Sequence, residues 1–259
     1  MIKVSFKEGL SGFTLICVMA CMFSSCSSYK KTAYFQDISR SRDTKEVVGN
    51  YSPMKVETDD ILGINVTSLN PEASSVFNSN TGGTGGSNGT NPVAGYLVDS
   101  KGEIQLPLIG NMKVSGKSTT EVRDQIRSSL TKYLKEPVVN VRIMNFKVSV
   151  LGDVNKPGSF AVQNERLTIP EAISLAGDLN ITAVRKNILL IRERNGEREY
   201  IPVDLSSKKL FSSPYYYMRN NDILYVQPGS NKYASVDNTY RYIGFLLSAL
   251  SIVAILVTR

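Results

Sequence analysis

The side chains that most often do chemistry are nearly missing from this chain: its 259 residues include no His, no Trp and three Cys. Without imidazole, a Ser-His-Asp or Cys-His nucleophile, an HExxH zinc site and a histidine base are all excluded. Carboxylates remain. A glycan-cleaving pair needs two of them about 5 to 10 Å apart across one bond. Asp59 and Asp60 are adjacent on an extended segment, where neighbours point to opposite faces, so they suit that task poorly. The stretch Gly110-Asn-Met-Lys-Val-Ser-Gly116-Lys117-Ser118 suggests a phosphate cradle, yet five residues separate the glycines where a P-loop has four. Ser118 and Glu121 read more simply as a capping box. No catalytic, metal or cofactor site emerges. The 30 Lys and Arg against 23 Asp and Glu give +7, which suits an anionic partner without naming one; nucleic acid is not indicated.

Cys26 is the residue with the clearest chemical expectation. Lys3 and Lys7 precede an uncharged apolar stretch from Gly9 to Phe23, followed by Ser24 and Ser25, the layout of a secretory signal. Phe23-Ser24-Ser25-Cys26 resembles a lipobox, with Phe where Leu is usual. Cys17 and Cys21 would leave with residues 1–25, so the exported chain would keep one cysteine with no disulfide partner, and acylation is its expected role. Ordinary cleavage nearby, leaving a spare thiol, is the other reading. Residues 26–46 then form a lipidated tether.

At the other end, the uncharged run YIGFLLSALSIVAILV lies between Arg241 and Arg259. Its 16 residues measure roughly 24 Å as a helix, against a hydrocarbon core of about 30 Å. The segment 241–259 is expected to be a C-terminal transmembrane helix because it is apolar all round and follows a polar linker, 231–240; a buried core helix is the alternative. Gly244, Ser248 and Ser251 share one helical face, for close packing in lipid or for lining a wet lumen.

The elements between these ends define the fold class. Ile61 to Val66 reads as a strand broken by Asn70-Pro71, and residues 78–91 as a flexible Gly, Ser, Thr and Asn loop. Tyr96-Leu97-Val98 and Gly102 to Leu106 read as a hairpin. Ser118 caps a helix with Val122, Ile126, Leu130 and Leu134 on one face, and Val138 to Phe146 alternates like a half-buried strand. Further on come strands about Asn155 to Gly158, a second capping box at Thr168 and Glu171, and a hairpin around Asn195-Gly196. Asp222-Ile-Leu-Tyr-Val226 echoes Asp60-Ile-Leu-Gly-Ile64. The expectation is α+β: a mixed α/β domain over 47–146, a β-grasp-like domain over 147–230, then the terminal helix.

These residues resemble a known family. Gly102-Glu-Ile-Gln-Leu-Pro-Leu-Ile-Gly110, Val114-Ser-Gly116 and Pro137-Val-Val-Asn-Val141 are similar to the polysaccharide export domain of outer-membrane exporters of the Wza type. Val150-Leu-Gly152-Asp-Val-Asn-Lys-Pro157-Gly158-Ser-Phe160 and Asn221-Asp222-Ile-Leu-Tyr-Val226 look like the two ends of an SLBB (soluble-ligand-binding β-grasp) domain. The resemblance implies a lipid-anchored protein of the outer membrane with its soluble domains in the periplasm. It also implies a ring-shaped homo-oligomer whose terminal helices form a passive channel for capsular or exopolysaccharide, fed by an inner-membrane copolymerase. One SLBB unit is recognisable where some relatives carry more.

Under that reading, Arg192, Arg194 and Arg198 on the second hairpin either meet an acidic polymer or form a solvated charged face. Tyr215-Tyr216-Tyr217 either stack on sugar rings or pack against a neighbour. A lipid-anchored ligand-binding or adaptor module without a pore is the alternative function.

Overall fold

The computed structural model describes residues 32–78, 95–194, 196–234 and 239–258. Two hydrophobic cores divide them, and Ile143 packs against both.

The first core forms around strand β1 (Ile61–Thr67), whose alternation turns Leu62, Ile64 and Val66 inward. β1 pairs antiparallel with β2 (Tyr96–Leu97) on one side and β5 (Val138–Ile143) on the other. In that register Val139 and Val141 join the same buried face. Asn70-Pro71 does more than break the strand. It starts helix α1 (Pro71–Asn78): Asn70 Oδ1 accepts from the backbone N–H of Glu72 at 3.1 Å and of Ala73 at 3.3 Å. Pro71 takes the first helical position, where a missing N–H costs nothing. The helix buries Phe77 in the core, and the Asn78 side chain bonds both backbone polar groups of Val66. The Gly-rich segment 79–94 lies outside the described residues.

The expected pairing of residues 96–98 with 102–106 is replaced by another. Strand β3 (Glu103–Leu106) folds back on β4 (Gly110–Lys113), while the two residues of β2 edge the β1 sheet. Asp99 explains the difference, because its Oδ1 accepts from the backbone of Lys101 and Glu103 and turns the chain out of β2 before a ladder can form. Helix α2 (Thr119–Leu130) has both arms of the Ser118–Glu121 capping box and buries Val122, Ile126 and Leu130; Leu134 is buried just past its end.

The second core begins at Phe146. Strands β6 (Lys147–Gly152), β7 (Gly158–Ala161), β9 (Ala183–Arg194), β10 (Glu197–Val203) and β12 (Ile223–Pro228) form one sheet in the order β10-β9-β12-β6-β7. Only β12 and β6 run parallel; the other pairs are antiparallel. β8 (Leu167–Thr168) pairs with β11 (Tyr217–Met218), and helix α3 (Ile169–Leu175) follows β8 under the expected Thr168–Glu171 capping box. Gly196, at φ +80°, closes the β9–β10 turn with Asn195, which lies outside the described residues.

The chain then forms α4 (Ser230–Ala234), in the stretch expected to be linker, and α5 (Thr239–Thr258). α5 is the expected terminal helix. Among the described residues, however, no helix is long and apolar enough to cross a membrane, in line with the short uncharged run.

Residues 32–50 are not a free tether. Phe35 and Gln36 donate their backbone N–H groups to Leu205 and Ser206, Phe35 stacks on Phe211 with centroids 4.7 Å apart, and Tyr34 bonds Asp178. Asp37 accepts from Ser207 Oγ and the Lys208 backbone, and Asn50 Nδ2 donates to the carbonyls of Phe211 and Ser213. The segment is strapped to the second domain before it reaches the first.

Candidate functional site

The two Asp-Ile-Leu strings are the same local device. Asp59 (φ +67°) and Asn221 (φ +63°) both adopt the left-handed conformation, which short polar side chains tolerate. The next residue, Asp60 or Asp222, turns its carboxylate back to accept from the backbone N–H three residues earlier, of Glu57 or Arg219. Each turn launches a core strand, β1 or β12. The two turns also face each other across the domain junction: Asn220 Nδ2 donates to Asp60 Oδ1 at 2.7 Å, and Arg219 lies 3.7 Å from Glu57. Burial raises the pKa of both Asp60 and Glu57, while desolvation beside Arg192 and Arg194 lowers that of Arg219. Asp59 is exposed and Asp60 is committed to two hydrogen bonds, so the two form no facing acid–base pair.

Motif residues of the second domain have equally physical uses. Gly152 sits at φ +95°, and a Cβ there would collide with the Val226 carbonyl oxygen of the parallel strand. Asp153 is fully buried and accepts from Asn180 Nδ2, Thr182 Oγ1 and Lys232 Nζ. Burial works to raise its pKa, but those donors prevail and hold it below the ordinary carboxylate range.

The three hairpin arginines separate. Arg192 is 4% exposed and forks onto Asp222, through Nε at 2.9 Å and Nη2 at 2.6 Å, while also reaching the Tyr217 carbonyl and lying 5.7 Å from the Tyr215 ring centroid. It is closed to any polymer, which corrects the expectation. β9 parity carried the signal: Ile188 and Leu190 face inward, and so does Arg192. Arg194 and Arg198 stay exposed and line a cleft of about 870 Å³ with Lys55, Glu57 and Arg219, in which Arg198 is paired with Glu193.

Tyr215 and Tyr216 pack partly buried against the second core, and Tyr216 meets Tyr217 edge-on at 5.0 Å. This belt continues through Phe211 to Phe35, so the tyrosines hold the strap rather than offering an open platform. A second cleft, of about 720 Å³, opens between the outer face of β5, the β7–β8 loop and residues 51–54. On α5, Ser248 and Ser251 donate to carbonyls of their own helix, and a Cβ at Gly244 would meet nothing within 4 Å. Cys26 lies outside the described residues.

This architecture coincides with two family descriptions. Residues 49–144 match "Polysaccharide biosynthesis/export protein" and residues 146–226 match "SLBB domain", each falling on one core. The first core is thus similar to the polysaccharide biosynthesis/export family and the second to the SLBB domain, each match spanning less than half of the chain.

Among its relatives is the EPS I polysaccharide export outer membrane protein EpsA of Ralstonia solanacearum, 29% identical over 72% of this chain and 51% of that protein. EpsA of Ralstonia nicotianae is 33% identical over 58% of this chain and 41% of the relative. The exopolysaccharide production protein ExoF of Rhizobium meliloti is 32% identical over 32% of this chain and 21% of its own length. The chain thus matches about half, or less, of the length of these relatives.

Proposed function

We propose that this chain is a subunit of an outer-membrane polysaccharide exporter. In this reading it is a lipoprotein that assembles as a ring and gives capsular or exopolysaccharide a passive channel. The observation that carries it is the coincidence of both family matches with the two folded cores, in export-then-SLBB order, in a chain whose relatives are named for polysaccharide export.

Further features support the arrangement. Cys26 is the acylation site of this reading, and the stretch from it to Thr32 spans roughly 20 Å at most. The strap that follows is fixed on the second domain, which also gives rise to α5. Both attachments to the outer membrane therefore converge on the SLBB domain, and the soluble domains lie in the periplasm. Phe245, Leu246 and Leu247 of α5 are all more than 60% exposed, a surface that asks for lipid or further copies. The uncharged run falls short of an average bilayer, but the bacterial outer membrane is thinner. Side-by-side packing through Gly244, Ser248 and Ser251 would enclose the channel. The polymer and an inner-membrane copolymerase complete the set of partners.

Deleting residues 239–259 should stop polymer reaching the cell surface while leaving a folded soluble body, read by surface-polysaccharide staining and circular dichroism. Export that persists without the helix would overturn the channel. The short apolar run favours one other reading, a lipid-anchored adaptor without a pore; ring-sized particles from detergent extracts argue for the channel, monomers for the adaptor.

A further inference from the structure

The 720 Å³ cleft has a lining that the export reading does not absorb. Its floor is the outer face of β5, where Asn140 and Arg142 stand exposed. One wall is the β7–β8 loop with Asn164 and Arg166; the other carries Tyr51, 58% exposed and anchored edge-on against Tyr217 at 6.0 Å. The roof is a bond between domains, Thr119 Oγ1 to Glu165 Oε1 at 3.3 Å.

Hydrogen-bonding capacity decides what fits. Glu165 accepts from Thr119 and Glu171 is held inside its capping box; both keep their charge, so the charged lining balances and what is left over is hydrogen-bonding capacity on the guanidiniums. Neither Arg142 nor Arg166 is paired with a carboxylate among the described residues. In the hairpin cleft Arg198 and Arg219 already have Glu193 and Glu57, while Lys55 and Arg194 have no carboxylate partner among the described residues; that cleft lacks the exposed aromatic ring. Two spare guanidiniums, planar amides and an exposed aromatic ring match a ligand with carboxylates, hydroxyls and an apolar C–H face. The volume is within the range of small-ligand sites.

We propose that this cleft is a binding subsite for a short stretch of acidic, uronate-bearing glycan, a proposal that rests on the export reading and narrows its cargo class. Arg142 and Arg166 take the carboxylates, Asn140 and Asn164 the hydroxyls, and Tyr51 stacks on a ring.

Titrating detergent-extracted full-length chain with tetragalacturonate and with maltotetraose tests it. The acidic tetramer should bind at least tenfold more tightly, and binding should weaken as salt rises. Arg142→Gln and Arg166→Gln should each weaken it roughly tenfold, the scale of one charge-assisted hydrogen bond, with an unchanged melting temperature. Arg198→Gln, in the other cleft, should leave affinity unchanged. Equal affinity for the two tetramers, or an equal loss in Arg198→Gln, would overturn the subsite. So would Arg142→Gln changing particle size rather than affinity, because the cleft would then be a contact between copies. A chain that exports polymer yet binds neither probe defeats the subsite alone; one that binds the acidic tetramer but supports no export defeats the channel alone.

Discussion

Arg192 shows how one side chain changes meaning between sequence and structure. On a hairpin of alternating charge it reads as a cation offered to solvent; in the fold it is sealed beneath the sheet with Asp222. Burying two charges costs desolvation, and the bidentate geometry offsets that cost only while both partners are present. Arg192→Ala would leave the 1%-exposed Asp222 carboxylate with the Arg219 backbone N–H and no ion-pair partner. The expected loss is about 3–5 kcal/mol of unfolding free energy by urea denaturation. Arg198→Ala removes only an exposed pair with Glu193 and should stay near wild type. Equal losses in the two variants would mean that Arg192 carries no internal role.

Among the elements, α4 has the consequence least visible beforehand, because residues 231–240 read as polar linker. Lys232 ties it to buried Asp153, and the Gly229 N–H donates to the Thr182 carbonyl, so α4 is fixed to the sheet. A carboxyl whose folded pKa lies below its unfolded value stabilises the fold above the unfolded pKa, about 3.9 for Asp. That contribution is lost as pH falls through the folded pKa. Lys232→Met removes one of the donors that depress Asp153, so its acid unfolding should begin at higher pH. Because Lys232 is nearly half exposed, the cost at neutral pH should be near 1 kcal/mol. Coincident acid-unfolding curves for the two proteins would show that the clasp is not formed. Elements with a strong local code were legible: both capping boxes and the Asn-Gly turn follow from spacing alone. α1 was not, because Asn-Pro reads equally as a strand breaker and as a cap with its first helical residue. The strap was hidden for another reason. Tyr34, Phe35 and Asn50 have no period, and their partners lie more than 140 residues away in sequence.

In the whole molecule, two cores that meet through Ile143 have a second connection in the facing turns at Asp60 and Asn220. Sequence showed the echo between those turns but could not show that they touch, since contact between domains is decided by packing rather than local pattern. With Thr119 to Glu165 as a further link, the domains are joined by more than one polar contact, and that arrangement favours one rigid body. Under the proposed channel such rigidity would have a use, because a hinge between the domains would let the passage close. The full chain should therefore unfold in a single calorimetric transition. Asn220→Ala withdraws a donor from Asp60, leaving a buried carboxyl whose pKa is already raised with the Glu57 N–H. Combined with Thr119→Val, it should split that transition into two, with the circular-dichroism spectrum at 25 °C unchanged. A transition that stays single in the double variant would place the coupling in apolar contact around Ile143 and not in the polar bridges.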